Sequence, residues 1–252
     1  HTGITAYYGG SLVENNEVFG NGRGIYVYSA VARGNQVYDN LDAGIAADYS
    51  TVEGNRSYDN ARGIAAGIQN VVRNNVVYDN RVVGIDVTSS QNPYGSSDEG
   101  ITNNTVYQLT GDAIRITNAS NTYLRNNILR VAAGGYAINV ADNSQVGFDS
   151  DYNLFWLQGG ALARWGGVAY TTRSDWYYEV GQDSHSQVGD PDLTDLDGAD
   201  DVLGWSGAST GAAAVVQDDG DAGVTTGSSC RWSGCSNGSS MSRWRCMDWL
   251  SQ

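Results

Sequence analysis

The chain has 252 residues, with 14 Arg and no Lys set against 28 Asp and Glu, a formal net charge of −14. A surface of that sign repels a phosphate backbone, which argues against nucleic acid as a partner. No run of about 20 apolar residues exists to span a membrane. Gly is abundant at 33 and Pro scarce at 2, a balance that suits many tight turns in a hydrogen-bonded framework.

The first residue is His1, and position 4 already reads as the inside of a repeat. The expectation is a processed or truncated piece, a monomer or part of a longer chain. Gly-Ile pairs then open successive segments at Gly3-Ile4, Gly24-Ile25, Gly44-Ile45, Gly63-Ile64 and Gly84-Ile85, at spacings of 21, 20, 19 and 21. An Asn follows each, at Asn16, Asn35, Asn55 and Asn75, and then an aromatic residue at Phe19, Tyr38, Tyr58 and Tyr78. A second Asn closes each segment at Asn21, Asn40, Asn60 and Asn80. An insertion from Ser89 to Gly100 interrupts the series, which resumes at Asn104, Ala113-Ile114, Asn127 and Ala137-Ile138.

Short alternations such as Gly-Ile-Tyr-Val-Tyr, broken by Gly, Asn and Asp, predict half-buried strands and turns; no segment has helical apolar spacing. Three short strands fit one coil of about 20 residues. Stacked coils would align equivalent side chains into rows, apolar inside, with Asn ladders at the turns. The expected fold is all-β, a parallel β-helix of about seven coils over residues 1–156. An irregular C-terminal cap follows at 157–227, then a tail at 228–252 of doubtful origin. The cap carries Trp176, Gly181-Gln182-Asp183-Ser184-His185-Ser186 and Asp190-Pro191.

These repeats resemble the right-handed parallel β-helix repeats of the pectate-lyase-like superfamily, of the carbohydrate-binding and sugar-hydrolase type, over roughly residues 1–155. The resemblance is specific for the fold. It implies a secreted or cell-surface protein whose partner is a polysaccharide, either a lyase-like or glycoside-hydrolase-like enzyme on a uronate-containing or other glycan, or a non-catalytic carbohydrate-binding or structural cell-surface module. The family's enzymatic signatures are missing, however. No Asn-Thr-Asp, Asp-Asp and Gly-His-Gly set lies on consecutive coils, and no Lys base exists.

Alternation from an inward Ile25 builds an outward ladder on the same strands: Thr5 and Tyr7, Tyr26 and Tyr28, Ala46 and Asp48, Ala65 and Gly67, Asp86 and Thr88, Arg115 and Thr117, Asn139 and Ala141. This face predicts a sugar-binding groove with Tyr7, Tyr26, Tyr28 and Asn139 as substrate contacts and Asp48, Asp86 and Arg115 as candidate catalytic groups. Sugar rings stack on Tyr faces, and carboxylates and Arg bind hydroxyls or uronates. Two carboxylates flanking a scissile bond should lie roughly 5–9.5 Å apart, yet Asp48 and Asp86 sit two coils apart at offset positions. A simple solvated face, with Asp86 paired to Arg115, is the competing reading.

Asp39, Asp59 and Asp79 form a second row. Like charges at coil spacing favour a bound cation such as calcium, or merely cap turns. No other cofactor is expected. Asp190, Asp192, Asp195 and Asp197 resemble a calcium loop but fail the EF-hand spacing. A Cys230–Cys235 disulfide is open, with Cys246 left over. His185, inside the cap, is expected to serve structure.

Overall fold

The computed structural model describes residues 1–88, 99–132 and 134–191, together with a short antiparallel ladder pairing Ser229–Cys230 with Cys246–Met247. The Ser89–Gly100 insertion, apart from its last two residues, lies outside the described residues. So do Asp192, Asp195, Asp197 and the side chains of the three Cys, and with them the disulfide expectation.

Three sheets of nine, seven and eight strands wrap one core. Each coil contributes one strand to each sheet, as in Arg23–Tyr28, Val31–Arg33 and Gln36–Tyr38. Every strand pair within these sheets is parallel except the closing hairpin, where Ala161–Trp165 meets Val168–Tyr170. The boundary expected at residue 156 falls inside the strand Leu154–Gln158, and Ala161–Trp165 still pairs in parallel with Tyr136–Val140. The coil therefore runs on into the segment read as cap. No helix among the described residues is long and apolar enough to cross a membrane.

The register is the one the repeat dictates. Ile4, Ile25, Ile45, Ile64, Ile85, Ile114 and Ile138 are Cα partners in sequence along the first sheet. All from Ile25 onward are fully buried. Each repeat's Gly owes its identity to crowding. A Cβ on Gly44 would lie 2.4 Å from Ser57 Oγ and 2.6 Å from Asn60 Nδ2, and one on Gly63 would lie 2.4 Å from Val77 Cγ1. Gly and the following Ile thus both face inward, and strict alternation breaks at the start of every long strand.

Two Asn ladders bind the coils. In the first, each Oδ1 accepts from the backbone N and the Nδ2 of the preceding Asn, running from Asn16 through Asn35, Asn55, Asn75, Asn104 and Asn127 to Asn153 at 2.9–3.1 Å. The second runs from Asn21 through Asn40 and Asn60 to Asn80 and ends on Gln108, whose Oε1 accepts from Asn80 N at 2.9 Å. These amides are buried, so the bonds are obligatory rather than decorative.

The cap terminates the first ladder with the residues the sequence singled out. Asn153 N donates to Ser186 Oγ at 2.8 Å, and Asn153 Nδ2 donates to Asp183 Oδ1 at 3.0 Å. Asp183 also accepts from Trp176 Nε1 at 2.8 Å, and Trp176, on the helix Arg173–Val180, is fully buried over the end of the core. Burial pushes the Asp183 carboxyl up, against the pull of these donors. His185 Nδ1 bonds Asp151 Oδ2 at 2.6 Å, and its ring stacks on Tyr152 at 4.8 Å.

Candidate functional site

The outer face of the first sheet carries the rows that alternation predicts. Thr5, Tyr26, Ala46, Ala65, Asp86, Arg115 and Asn139 are partners in register, as are Tyr7, Tyr28 and Asp48. Small side chains in the third and fourth coils leave an open cleft of about 280 Å³. Ala46, Ala65 and Gly67 lie along it, Tyr26 and Asp48 flank it on one side, and Arg62 and Asp86 on the other.

Gly67 is required for Asp48 to reach across the coil. A Cβ there would sit 1.9 Å from Asp48 Oδ1. That oxygen instead accepts from Ile68 N at 3.1 Å, while Oδ2 accepts from Tyr26 Oη at 3.0 Å. Burial first, and then the bond to the Asp48 carboxylate, push the Tyr26 phenol up to about 12. Tyr26 is therefore a held proton donor at neutral pH.

Asp86 is almost fully buried, at 4% exposed. It receives Arg115 through two bonds, Nε to Oδ1 and Nη2 to Oδ2, each 3.0 Å, and Arg62 Nη1 at 3.3 Å. Arg62 turns its other edge to Asp42 at 2.7 Å, and Arg23 approaches the same carboxylate at 3.8 Å. The result is a chain of alternating charge, Arg23, Asp42, Arg62, Asp86 and Arg115, along one wall of the cleft. On a protein of net charge −14, this row sets three guanidinium groups against two carboxylates, a locally positive balance.

Of the sequence-predicted residues, Tyr26, Asp48 and Asp86 line the cleft, and Arg115 stands behind Asp86 rather than in the opening. At strand spacing, two strands and two residues of offset keep the backbones of Asp48 and Asp86 roughly 11 Å apart. Tyr7 and Tyr28 lie beside the cleft in a cluster with Tyr8 and Tyr49. Asn139 stands apart, donating to Asp112 Oδ2 at 2.8 Å. Strict alternation overlooked Arg23 and Arg62, because Gly24 and Gly63 turn inward beside the inward Ile and shift the Arg outward. The usable signal was the Arg-Gly-Ile triplet itself, at Arg23-Gly24-Ile25 and Arg62-Gly63-Ile64.

The Asp39, Asp59 and Asp79 row stands at successive left-handed turns, with φ of 53°, 54° and 48°. Burial raises the carboxyls of Asp59 and Asp79, and a neighbouring Asp of the row adds to it in each. Among the described residues, no three His, Cys, Asp or Glu side chains converge where a metal ion could sit. Positive charge comes instead from Arg81, which lies along the row, donates to Asp59 O at 2.6 Å and Asn40 O at 2.8 Å, and lowers the Asp59 carboxyl.

The fold defines the class, a right-handed parallel β-helix protein, and a polar, aromatic-flanked cleft lies on its first sheet. Residues 1–97 match the family model described as a right handed beta helix region. The chain is similar in structure to the periplasmic alginate epimerase AlgG, at 17% identity and a TM-score of 0.43, covering 75% of this chain and 47% of that one. A mutant form of the same protein aligns at 18% identity and a TM-score of 0.42, covering 57% of this chain and 34% of that one. The chain thus spans between about a third and a half of the length of these structures. No curated protein matches it.

Proposed function

We propose that this β-helix engages a polysaccharide along the first sheet, outside the cytoplasm as a secreted or cell-surface protein. The observation that carries the reading is the cleft itself. A small-residue floor admits a flat ring, Tyr26 and Asp48 offer acceptor oxygens on one side, and Arg62 with Asp86 offers donors and acceptors on the other. Fixed polar groups around an open, shallow trough suit an extended chain of hydroxyl-bearing rings.

Asp86 and Arg115 satisfy each other, so their first role is to fix the wall. Binding is tested by affinity gel electrophoresis of the whole chain in alginate, polygalacturonate and a neutral β-glucan. Arg62→Gln should lose most of the retardation seen with the responsive polymer. A wild-type chain that none of the polymers retards sinks the reading.

A second reading, turnover of a lyase-like or hydrolase-like kind, is favoured by the Tyr26–Asp48 pair. Asp48 is the carboxylate placed to accept a proton from a reacting group, and the Tyr26 phenol, which donates to it, fixes its orientation. Asp86 and Arg115 would then stabilise charge from the wall. Release of reducing ends or unsaturated products that disappears in Asp48→Asn separates this reading from binding alone.

A further inference from the structure

The turn that follows the first-sheet strand of each of the first four coils passes through the left-handed region. Its residues are Tyr8, Ser29, Tyr49 and Gln69, with φ of 58°, 51°, 52° and 51°. In a later coil the same kind of turn holds Asn118, at φ 56°. The other turns of the solenoid fill such positions almost throughout with Gly, Asn or Asp, as at Asn15, Gly34, Gly54, Asn74, Asn103 and Asn126. Those are the residues that tolerate this backbone, whereas a bulky side chain there is strained. Tyr8 and Tyr49 are thus an expensive choice, made twice in the coils beside the cleft.

Their rings show what that strain accomplishes. Tyr28 stands edge-on between them, at 5.4 Å and 72° from Tyr8 and at 5.4 Å and 65° from Tyr49. Tyr7 lies 5.8 Å from Tyr26 at 73°. Steep angles leave ring faces uncovered, and Tyr7, Tyr8 and Tyr49 are all exposed. Tyr26 belongs to both features, because it touches Tyr7 and also donates to Asp48 in the cleft. Strain held at a surface position with an open aromatic face is a mark of a binding element.

The geometry points to Tyr8, Tyr28 and Tyr49 as an aromatic subsite that takes the apolar C–H face of sugar rings at the N-terminal side of the cleft. The inference rests on the polysaccharide reading and deepens it by naming the chain the site requires. Tyr28 and Asp86 stand three coils apart, about 14 Å along the axis at ordinary strand spacing. A monosaccharide held against Asp86 at the far wall falls short of the rings, so a chain that fills the cleft from Asp86 to Asp48 gains the most from the subsite.

The test uses substitutions that ease the fold while removing the rings. Tyr8→Asn with Tyr49→Asn should raise the Tm by roughly 2–4 °C per substitution, since Asn is at home in that backbone. The same double variant should weaken retardation by the responsive polymer at least about fivefold, a loss of about 1 kcal/mol. A monosaccharide of the responsive polymer, titrated directly, should bind wild type and double variant with Kd values that differ far less than fivefold. Should the double variant melt lower and still be retarded like wild type, the rings serve packing and the subsite is overturned. In that case loss of retardation in Arg62→Gln would still leave the polysaccharide reading standing. A wild type that no polymer retards removes both.

Discussion

Two faces of this solenoid carry rows of tyrosine, and they use them in opposite ways. On the third sheet, Phe19, Tyr38, Tyr58 and Tyr78 stack at 5.1, 4.9 and 4.6 Å with interplanar angles of 12°, 8° and 9°. Each ring covers the next, and exposure falls from 56% at Phe19, which ends the stack, to 7% at Tyr78. On the first sheet the rings of Tyr7, Tyr8, Tyr26, Tyr28 and Tyr49 meet mainly at steep angles, so faces stay open. The difference comes from position rather than composition. Rings repeated at one strand position in successive coils can stack, because coils repeat at about ring spacing, as Phe19 to Tyr78 do; Tyr7 and Tyr28 are also in register but, with Tyr8 and Tyr49 wedged beside them, tilt to 45° at 6.5 Å. Residues split between strand positions and turn positions cannot align, and their faces remain available to something else.

The sharpest way to break this contrast is to delete one ring from each face. Tyr58→Ala removes the middle of the stack, where both faces and the Gln36 bond to its hydroxyl are in use. It should cost about 3 kcal/mol in urea unfolding, in the range for an aromatic truncation, and leave polymer retardation unchanged. Tyr28→Ala should cost about 1 kcal/mol or less, the scale of edge-to-face contacts, and sharply reduce retardation. Equal stability losses at the two positions would mean that stacking and edge contacts are energetically alike here, and the contrast fails.

A somewhat smaller effect concerns the wall between cleft and core. Asp86→Asn keeps the shape but removes the charge that Arg62 and Arg115 share. The buried carboxylate is the costly member to alter, while both arginines keep partial access to water, so about 2 kcal/mol of destabilisation is expected, below the range for wholly buried pairs. High salt should restore little, because the pair is not at the surface. A variant as stable as wild type would place the wall's order in the backbone alone.

How far all this was legible follows from the same geometry. The Ile column, the Asn ladders and the Thr5-to-Asn139 row could be read directly, because each depends only on a repeat length and the alternation of strand side chains. The outward turn of Arg23 and Arg62 does not follow from alternation, because it comes from the crowding that a Cβ at Gly24 or Gly63 would meet; its only local trace is the Arg-Gly-Ile triplet. Gln108 closing an Asn ladder was hidden by the change of residue type. Tyr8 and Tyr49 were missed for the opposite reason: preference forbids Tyr in a left-handed turn, and only coordinates reveal where preference is overridden. The Asp39, Asp59 and Asp79 row was visible, but the cation running along it, Arg81, belongs to the next coil and was not sought.

The smallest expected effect is one in which the two faces should agree. Tyr26 in the cleft and Tyr38 in the stack are each pushed up to about 12, first by burial and then by donating to a carboxylate, Asp48 and Glu17 respectively. Both phenols are neutral when folded and would ionise near 10 in the unfolded chain. The folded state thus holds these protons more tightly, so the stabilisation is complete below pH 10 and disappears as pH rises through 12. Thermal melts between those limits, followed alongside phenolate absorbance, should show stability falling as a late class of tyrosines ionises. Asp48→Asn and Glu17→Gln each remove the acceptor's charge but leave burial in place. Each should therefore move one late phenol part of the way back toward 10, not the whole way. If Asp48→Asn moves its phenol fully and Glu17→Gln moves nothing, burial is not the leading cause at Tyr26, and the cleft is wetter than its geometry implies.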